Sequence, residues 1–403
     1  MKSRLQQLFK VYCREFRIVI HDPGIIIFFA FLPLAYPVIY SLIYNPELVR
    51  DVAVVVVDND RSAISRELVR NFDATQEAWV KGYAADLNEA RRAMDSHDCY
   101  AILEIPEGFG KKINNNEQGE AVLYCEMSLL LRYRALLVAS TNVAQAMGAE
   151  ILSEKIDLVA PLAQTVVDGD LMPIKNITMG NIEGGFDSFI MPGVLILILH
   201  QCIILASGMA GGAKRERPGI IGYDSFNEQP SVLMTMFGQM LCYITILMVP
   251  IIYLVHYVPL MFAFPIAGNL LEILAFLTPM VLACIGLGWC VQGMVWERET
   301  IFLLWVVTSV IFLFLSGLTW PRYAMPGFWK AISDCIPATW GIEGYIKMST
   351  NGASLSQVRN CYIYLWILAV AYMIAAYCVQ RWVVRPSVIK GFDAYDTIKS
   401  NSI

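Results

Sequence analysis

Charge is what this chain of 403 residues has least of. Asp, Glu, Lys and Arg make up 16% of it, where a soluble globular domain carries about 25%. Whole stretches hold no charged side chain and are long enough to cross a bilayer core of about 30 Å. Nucleotide and hydrolase signatures are missing too. No G-x-x-x-x-G-K-[ST] run occurs; Gly108-Phe109-Gly110-Lys111-Lys112 lacks the first glycine spacing and the closing hydroxyl. No G-x-G-x-x-G opens a helix after a strand, and neither G-x-S-x-G nor H-E-x-x-H is present. The four histidines, His21, His97, His200 and His256, are scattered. No catalytic, cofactor-binding or metal-binding set is therefore expected. There is no Lys/Arg run on a soluble face, which argues against nucleic acid as a partner. Internal repeats and low-complexity segments are also lacking.

The ten cysteines form no metal-type or redox-type cluster. Cys202, Cys242, Cys284, Cys290 and Cys378 sit in apolar runs, where a thiol serves as a small packing group. Cys99 and Cys125, and Cys335 and Cys361, would face an outside compartment. Whether either pair is bridged stays open, because spacing alone supplies no geometry.

Six uncharged segments stand out: Gly24–Tyr44, Phe189–Ala213, Val232–Tyr257, Ile273–Val295, Ile301–Leu318 and Tyr362–Val379. The backbone must satisfy its own hydrogen bonds in lipid, so each is expected to be a helix. The fifth is barely long enough at 1.5 Å per residue. Basic residues set the orientation. Lys2, Arg4, Lys10, Arg14 and Arg17 precede the first span; Lys214, Arg215 and Arg217 follow the second; Arg381, Arg385, Lys390 and Lys399 lie in the tail at 380–403. The loop from Val258 to Asn269 has no basic residue. This alternation places both termini in the cytoplasm of a multi-pass protein of the inner (cell) membrane. The first apolar run is too long for a signal-peptide core and no A-x-A-like site ends it, so it reads as a retained span.

The long insert at 45–187 then lies outside. Val52–Val57 has a buried-strand pattern, followed by the turn and cap cluster Asp58-Asn59-Asp60-Arg61-Ser62 and a helical stripe of Ile64, Leu68 and Phe72. Tyr100–Ile105 and Ala121–Cys125 are further strand candidates; Asp86–Met94 and Ala135–Val159 are helix candidates. The expected fold is a membrane all-α bundle of six transmembrane helices with an inserted extracytoplasmic α/β domain on helical stalks. An oxygen-ligand metal loop at Asp58-Asn59-Asp60 would need more ligands than the cluster offers, so a capping turn is the preferred reading.

Residues 1–23 read as a basic amphipathic helix for the membrane interface. Leu5, Leu8, Tyr12, Phe16 and Val19 form its apolar stripe, and Asp22-Pro23-Gly24 ends it. Polar residues inside the spans are few. His200 and Gln201 are the candidates for a substrate path; bonding between helices is the competing role. Gly208–Gly212 and Gly286–Gly288 are expected to let helices approach closely. Two compact charged segments share the inner side: Lys214–Pro218, opening the loop at 214–231, and Trp296-Glu297-Arg298-Glu299-Thr300 between the fourth and fifth spans. After the fifth span, 319–360 is rich in Pro and Trp yet mostly apolar, which suits short helices dipping into the outer leaflet.

These features together resemble the type 2 ABC transporter permeases, in the subgroup with a large outer domain after the first span. Glu15-Phe16-Arg17 through Asp22-Pro23 is similar to that family's start. So are Asp58-Asn59-Asp60-Arg61-Ser62-Ala63-Ile64-Ser65 and Ile105-Pro106-Glu107-Gly108-Phe109. The strongest likeness is the series Leu315-Ser316-Gly317, Pro321, Met325-Pro326 and Ile336-Pro337. The resemblance implies a half-transporter that pairs with a second permease, identical or sibling, and binds two ABC ATPase subunits. It implies that ATP and Mg are bound there and not by this chain. It makes the loop after the second span a coupling element in which Arg215, Glu216, Arg217 and Gly219 match a charged motif, with Glu297 and Glu299 on the neighbouring loop. Pro218 interrupts that motif, and Ile220 and Ile221 replace its usual threonine and glutamate. Drugs, lipids, polysaccharides or other amphiphiles are the implied substrates, exported with a periplasmic adaptor and in contact with membrane lipid. A mechanotransmitting ABC subunit that conducts nothing and a membrane-anchored ligand sensor stay open as alternatives. The first has only three further spans in its architecture, against five here.

Overall fold

The computed structural model describes residues 2–44, 49–115, 117–127, 130–157, 185–216, 231–297 and 299–388. The chain opens with helices α1 (Lys2–His21), α2 (Pro23–Ile26) and α3 (Leu32–Tyr44). Next come β1 (Val52–Asp58), α4 (Ala63–Asp73), β2 (Ala78–Tyr83), α5 (Leu87–Asp95), β3 (Ala101–Ile105), α6 (Phe109–Asn114), β4 (Val122–Cys125) and α7 (Leu130–Asp157). The remainder is helical: α8 (Phe186–Glu216), α9 (Val232–Ile252), α10 (Val258–Met261), α11 (Leu270–Val291), α12 (Thr300–Leu315), α13 (Gly327–Asp334), α14 (Pro337–Ser349) and α15 (Arg359–Val379). The chain divides into two compact units, Pro46–Ile177 and the pair Met1–Asn45 with Thr178–Ile403.

In the smaller unit a four-stranded sheet runs in the order β2-β1-β3-β4. β1 is parallel to both neighbours and β4 is antiparallel to β3. Val52–Val57 of β1 is an unbroken run of valine and alanine because both faces of the strand are covered. Val52, Val54 and Val56 meet Val69 and Phe72 of α4 and Leu136, Ala139 and Val143 of α7. Val55 and Val57 meet Ala90 of α5. The expected strands and helices are present with ends shifted by a residue or a turn; 158–159 of the last candidate helix lies outside the described residues. β2 escaped the sequence reading because it is an edge strand. Trp79, Lys81 and Tyr83 alternate outward, and Gly82 weakens the strand pattern.

Asp60 joins two segments that the sequence presents separately. Its carboxylate accepts the N–H groups of Gly108 and Gly110, each at 2.9 Å, and so caps α6. Gly108 needs its positive φ of 83° there. A Cβ on Gly110 would come within 2.5 Å of the Ser62 hydroxyl. The cluster is thus a structural lock: Ser62 caps α4 through Ser65 N at 3.0 Å, and Asp58 Oδ1 closes the turn on Arg61 N at 2.8 Å. The Ser62 hydroxyl bond, with the three amides at 108–110, holds the Asp60 carboxyl below the usual carboxylate range against the effect of burial. Its contribution is complete above the unfolded-state value of about 4 and fades as the pH falls through the lower folded value. Asp60→Ala is expected to destabilise this unit by about 1–2 kcal/mol. Faster amide exchange at Gly108 and Gly110 would report it, and unchanged exchange would count against the lock.

In the larger unit five helices are long and apolar enough to cross a membrane: Pro23–Ile43, Phe186–Arg215, Val232–Met261, Leu270–Val291 and Arg359–Val388. The fifth expected span is the shorter apolar helix α12, of 16 residues. It stops at Leu315 and not Leu318, because Gly317 takes φ +84° just past its end. The expected fourth span also ends early. Gln292–Val295 folds into a tight turn after α11, with Gln292 N bonding Gly288 O and Met294 N bonding Val291 O. The second span runs longer than expected. Lys214, Arg215 and Glu216 form the last turn of α8 and not the start of a loop, and cations suit that helix end. The third and last spans are extended through π-helical turns at Tyr253–Tyr257 and Gln380–Val384. α11 is the axis of the bundle, with Phe276, Leu277, Met280, Cys284, Ile285 and Trp289 buried along it. Small residues let its neighbours close in: a Cβ on Gly286 would meet Tyr372 and Met373 of α15, and one on Gly288 would meet Ser207 and the Ile204 backbone of α8.

α13 and α14 fill the segment expected to hold short helices. Arg322 clamps them together through Asp334 and through Glu343 at 2.6 Å, and lies 4.0 Å over the Trp340 ring. All ten cysteines are unbridged. Among the described residues no group of His, Cys, Asp or Glu is arranged to hold a metal ion.

Candidate functional site

The apolar stripe of α1 expected to face the membrane interface, Leu5, Leu8, Tyr12, Phe16 and Val19, is only in part the face that packs against the bundle. Val11, Glu15, Ile18 and Val19 are buried, while Leu5 is 72% and Phe16 37% exposed. Gly238 permits this contact, since a Cβ there would come within 2.6 Å of Val11. The buried face therefore carries an acid, and Glu15 is fully enclosed.

Three side chains answer that carboxylate. Lys214 Nζ of α8 donates to Oε1 at 2.5 Å, and the Tyr243 hydroxyl of α9 donates to the same oxygen at 2.7 Å. Gln239 Nε2, one helical turn before Tyr243, donates to Oε2 at 3.3 Å. Burial by itself raises the Glu15 carboxyl, but the charge and hydrogen bond of Lys214, with the bond from Tyr243, outweigh it and hold Glu15 below its ordinary range. The ring of Tyr243 is fixed in turn against Phe29 at 4.9 Å and Trp289 at 6.3 Å. One ion pair thus ties α1 to the last turn of α8 and to α9.

Arg215, the next residue, points to another element. Its Nη1 donates to the Val295 carbonyl, and its guanidinium sits 5.2 Å from the Trp296 ring. The turn it grips carries Glu297 and Glu299, both exposed. That turn is fastened again at Gln292, whose amide donates to Ser207 O of α8 and accepts from Gln380 Nε2 at 2.6 Å. The structure so brings Arg215, Glu297 and Glu299 to one end of the bundle. Glu216 closes α8, while Arg217 and Gly219 lie outside the described residues.

The two substrate-path candidates part company. Gln201 bonds between helices: it accepts from Trp305 Nε1 at 3.0 Å and donates to Ser309 O at 3.4 Å, both on α12. His200 is fully buried, with its ring edge-on to Phe312 at 5.2 Å and neither ring nitrogen hydrogen-bonded among the described residues.

Gln239 and Tyr243 were not singled out from sequence, nor was the pairing of Glu15 with Lys214. A signal existed. Glu15 is the one acid between Met1 and His21, among five basic residues, and it sits in phase with Val11 and Ile18. Gln239 and Tyr243 are polar groups four apart on one face of an uncharged span.

This arrangement fastens α1, the end of α8, α9 and the 292–299 turn to one another. No curated protein matches the chain. The family model described as ABC-2 family transporter protein matches residues 23–378. That match takes in Lys214, Arg215 and the 292–299 turn, though not Glu15, and the chain belongs to the ABC-2 transporter family, as a membrane permease component that works with ABC ATPase subunits.

Proposed function

We propose that this chain is the permease subunit of an ATP-driven exporter moving an amphiphilic or hydrophobic substrate, such as a drug or lipid, out of the cytoplasm or inner membrane. In this reading α12 is the fifth of six crossings and both termini are cytoplasmic. The Pro46–Ile177 unit stands in the periplasm, where an adaptor protein meets it. α13 and α14 dip into the outer leaflet. Two permeases, identical or sibling, form the path, and ATP with Mg is bound by the partner ATPases.

The observation that carries this reading is the Glu15–Lys214 pair with Arg215 beside it. Consecutive residues at the end of the second span hold α1 on one side and the 292–299 turn on the other. An ATPase closing beneath Arg215, Glu216, Arg217, Gly219, Glu297 and Glu299 would move three elements as one body. That push shifts the bundle only if the ATPase binds one of its two states more tightly. His200 lies on the same rod as Lys214, with Gln201 beside it holding α12, so a displacement of the α8 end reaches the substrate-path candidates directly.

Replacing Glu216 and Arg217 by Ala in the complex reconstituted with its ATPase is expected to lower substrate-stimulated ATP hydrolysis by roughly tenfold. Basal hydrolysis by the ATPase should persist. Stimulation at the native level would refute the assignment of the coupling segment.

A further inference from the structure

A second polar feature plays no part in the coupling described above. The start of α9 and the turn after α15 enclose a groove of about 280 Å³, lined by Ser231, Val232, Leu233, Tyr377, Arg381 and Arg385. No acid lines it. Tyr377, Arg381 and Arg385 recur every four residues and share one face of the helix through its π-helical turn. Arg381 Nη1 donates to the Tyr377 oxygen at 3.0 Å, which leaves the phenol's own proton to be donated elsewhere. Arg385 is half-buried and makes no ion pair or hydrogen bond among the described residues. Ser231 spends its hydroxyl oxygen on Met234 N at 3.4 Å. Val232 and Leu233, the first two residues of α9, have N–H groups without an acceptor inside the helix. Among the described residues the groove is thus a set of donors with two guanidinium groups and no acid to neutralise them.

Its surroundings limit what fits. The groove lies where two membrane-length helices end, and so at the level of lipid head groups. Leu233 and Trp382 beside it are 51% and 70% exposed, and Arg381 lies 5.3 Å from the Trp382 ring. Two guanidinium groups match a phosphate, which each can hold through paired N–H bonds. Exposed apolar side chains at the rim match a ligand whose other end is hydrocarbon. At its size the groove admits a head group, below the usual range for whole drug-like ligands.

We propose that this groove binds the phosphate of an anionic phospholipid, in the leaflet that faces the end of α15. The inference needs α9 and α15 to cross the bilayer and needs nothing of export or of the ATPase. Bound there, the lipid would bridge the start of the third span and the end of the last.

The test uses the full chain in non-ionic detergent, exposed in turn to phosphatidylglycerol and phosphatidylcholine of the same acyl chains, with bound lipids counted by native mass spectrometry. The expected result is one phosphatidylglycerol held about tenfold more tightly than phosphatidylcholine, the order given by charge-assisted bonds to one anion. Arg381→Gln with Arg385→Gln should erase that preference, and Arg385→Lys, which keeps the charge, should keep most of it. Equal retention of the two lipids by the wild-type chain would overturn the proposal, whatever the variants do. So would an unchanged preference in a double variant that elutes as a single species. Displacement of the lipid by millimolar inorganic phosphate at constant ionic strength would reassign the groove to a free anion and overturn it equally.

Discussion

Lys214→Ala is expected to destabilise the bundle by about 3–5 kcal/mol, the cost of leaving a buried partner charge uncompensated. Glu15 is fully enclosed, and its remaining donors, Tyr243 and Gln239, are neutral. Glu15→Gln should be milder, because an amide keeps an acceptor for Tyr243 while Lys214 can extend toward the helix end. The informative variant is the double one. Glu15→Leu with Lys214→Met removes both charges, fills the same space with apolar groups, and is expected to recover most of the lost stability or exceed it. If the pair serves coupling, that double variant folds well and still fails to transmit ATPase closure. Chemical unfolding in detergent and substrate-stimulated hydrolysis, measured on the same three proteins, separate the two roles. A loss below about 1 kcal/mol in Lys214→Ala would mean the carboxylate behaves as a surface group.

Gly344→Ala is the second large expected effect. A Cβ at this position would stand 2.1 Å from Phe276 Cζ and under 3 Å from both neighbouring ring carbons. Phe276 cannot swing aside, since it is fully buried and flanked by Tyr362 at 6.3 Å. One added methyl must therefore separate α14 from α11, and overpacking of this kind costs about 1–3 kcal/mol or more. Combining Gly344→Ala with Phe276→Leu frees the space the methyl needs. The pair should recover more than half of the single variant's loss, a departure from additivity expected only of residues in contact. Strictly additive losses would show that the glycine is needed for another reason.

The crossing helices were legible in the sequence because lipid allows one backbone solution, and an uncharged run of the right length announces it. Their ends were less so. Hydropathy does not register that Gln292 folds back on Ser207, or that Gly317 stops α12 three residues early. The face by which α1 packs was not legible, for a physical reason. In water an apolar stripe must find protein, but beside lipid it need not, so Leu5 and Phe16 stay on the outside while the helix packs through a face containing Glu15. Hydrophobicity marks the membrane there and not the neighbour. In the smaller unit, where water is the solvent, Ile64, Leu68 and Phe72 led to the α4 packing face directly. The Asp60 bridge to Gly108 and Gly110 could not be foreseen, since it joins positions some fifty residues apart.

α12, at 16 residues, reaches only about 24 Å, several ångströms short of the hydrocarbon layer. Read as a crossing, it leaves an edge of the protein where the lipid must dimple inward. Such a dent has an elastic cost that rises with acyl length. On that reading short-chain lipids would gather along that edge, beside Gln201 and Trp305, and the proposed amphiphilic substrate would meet a lowered rim there.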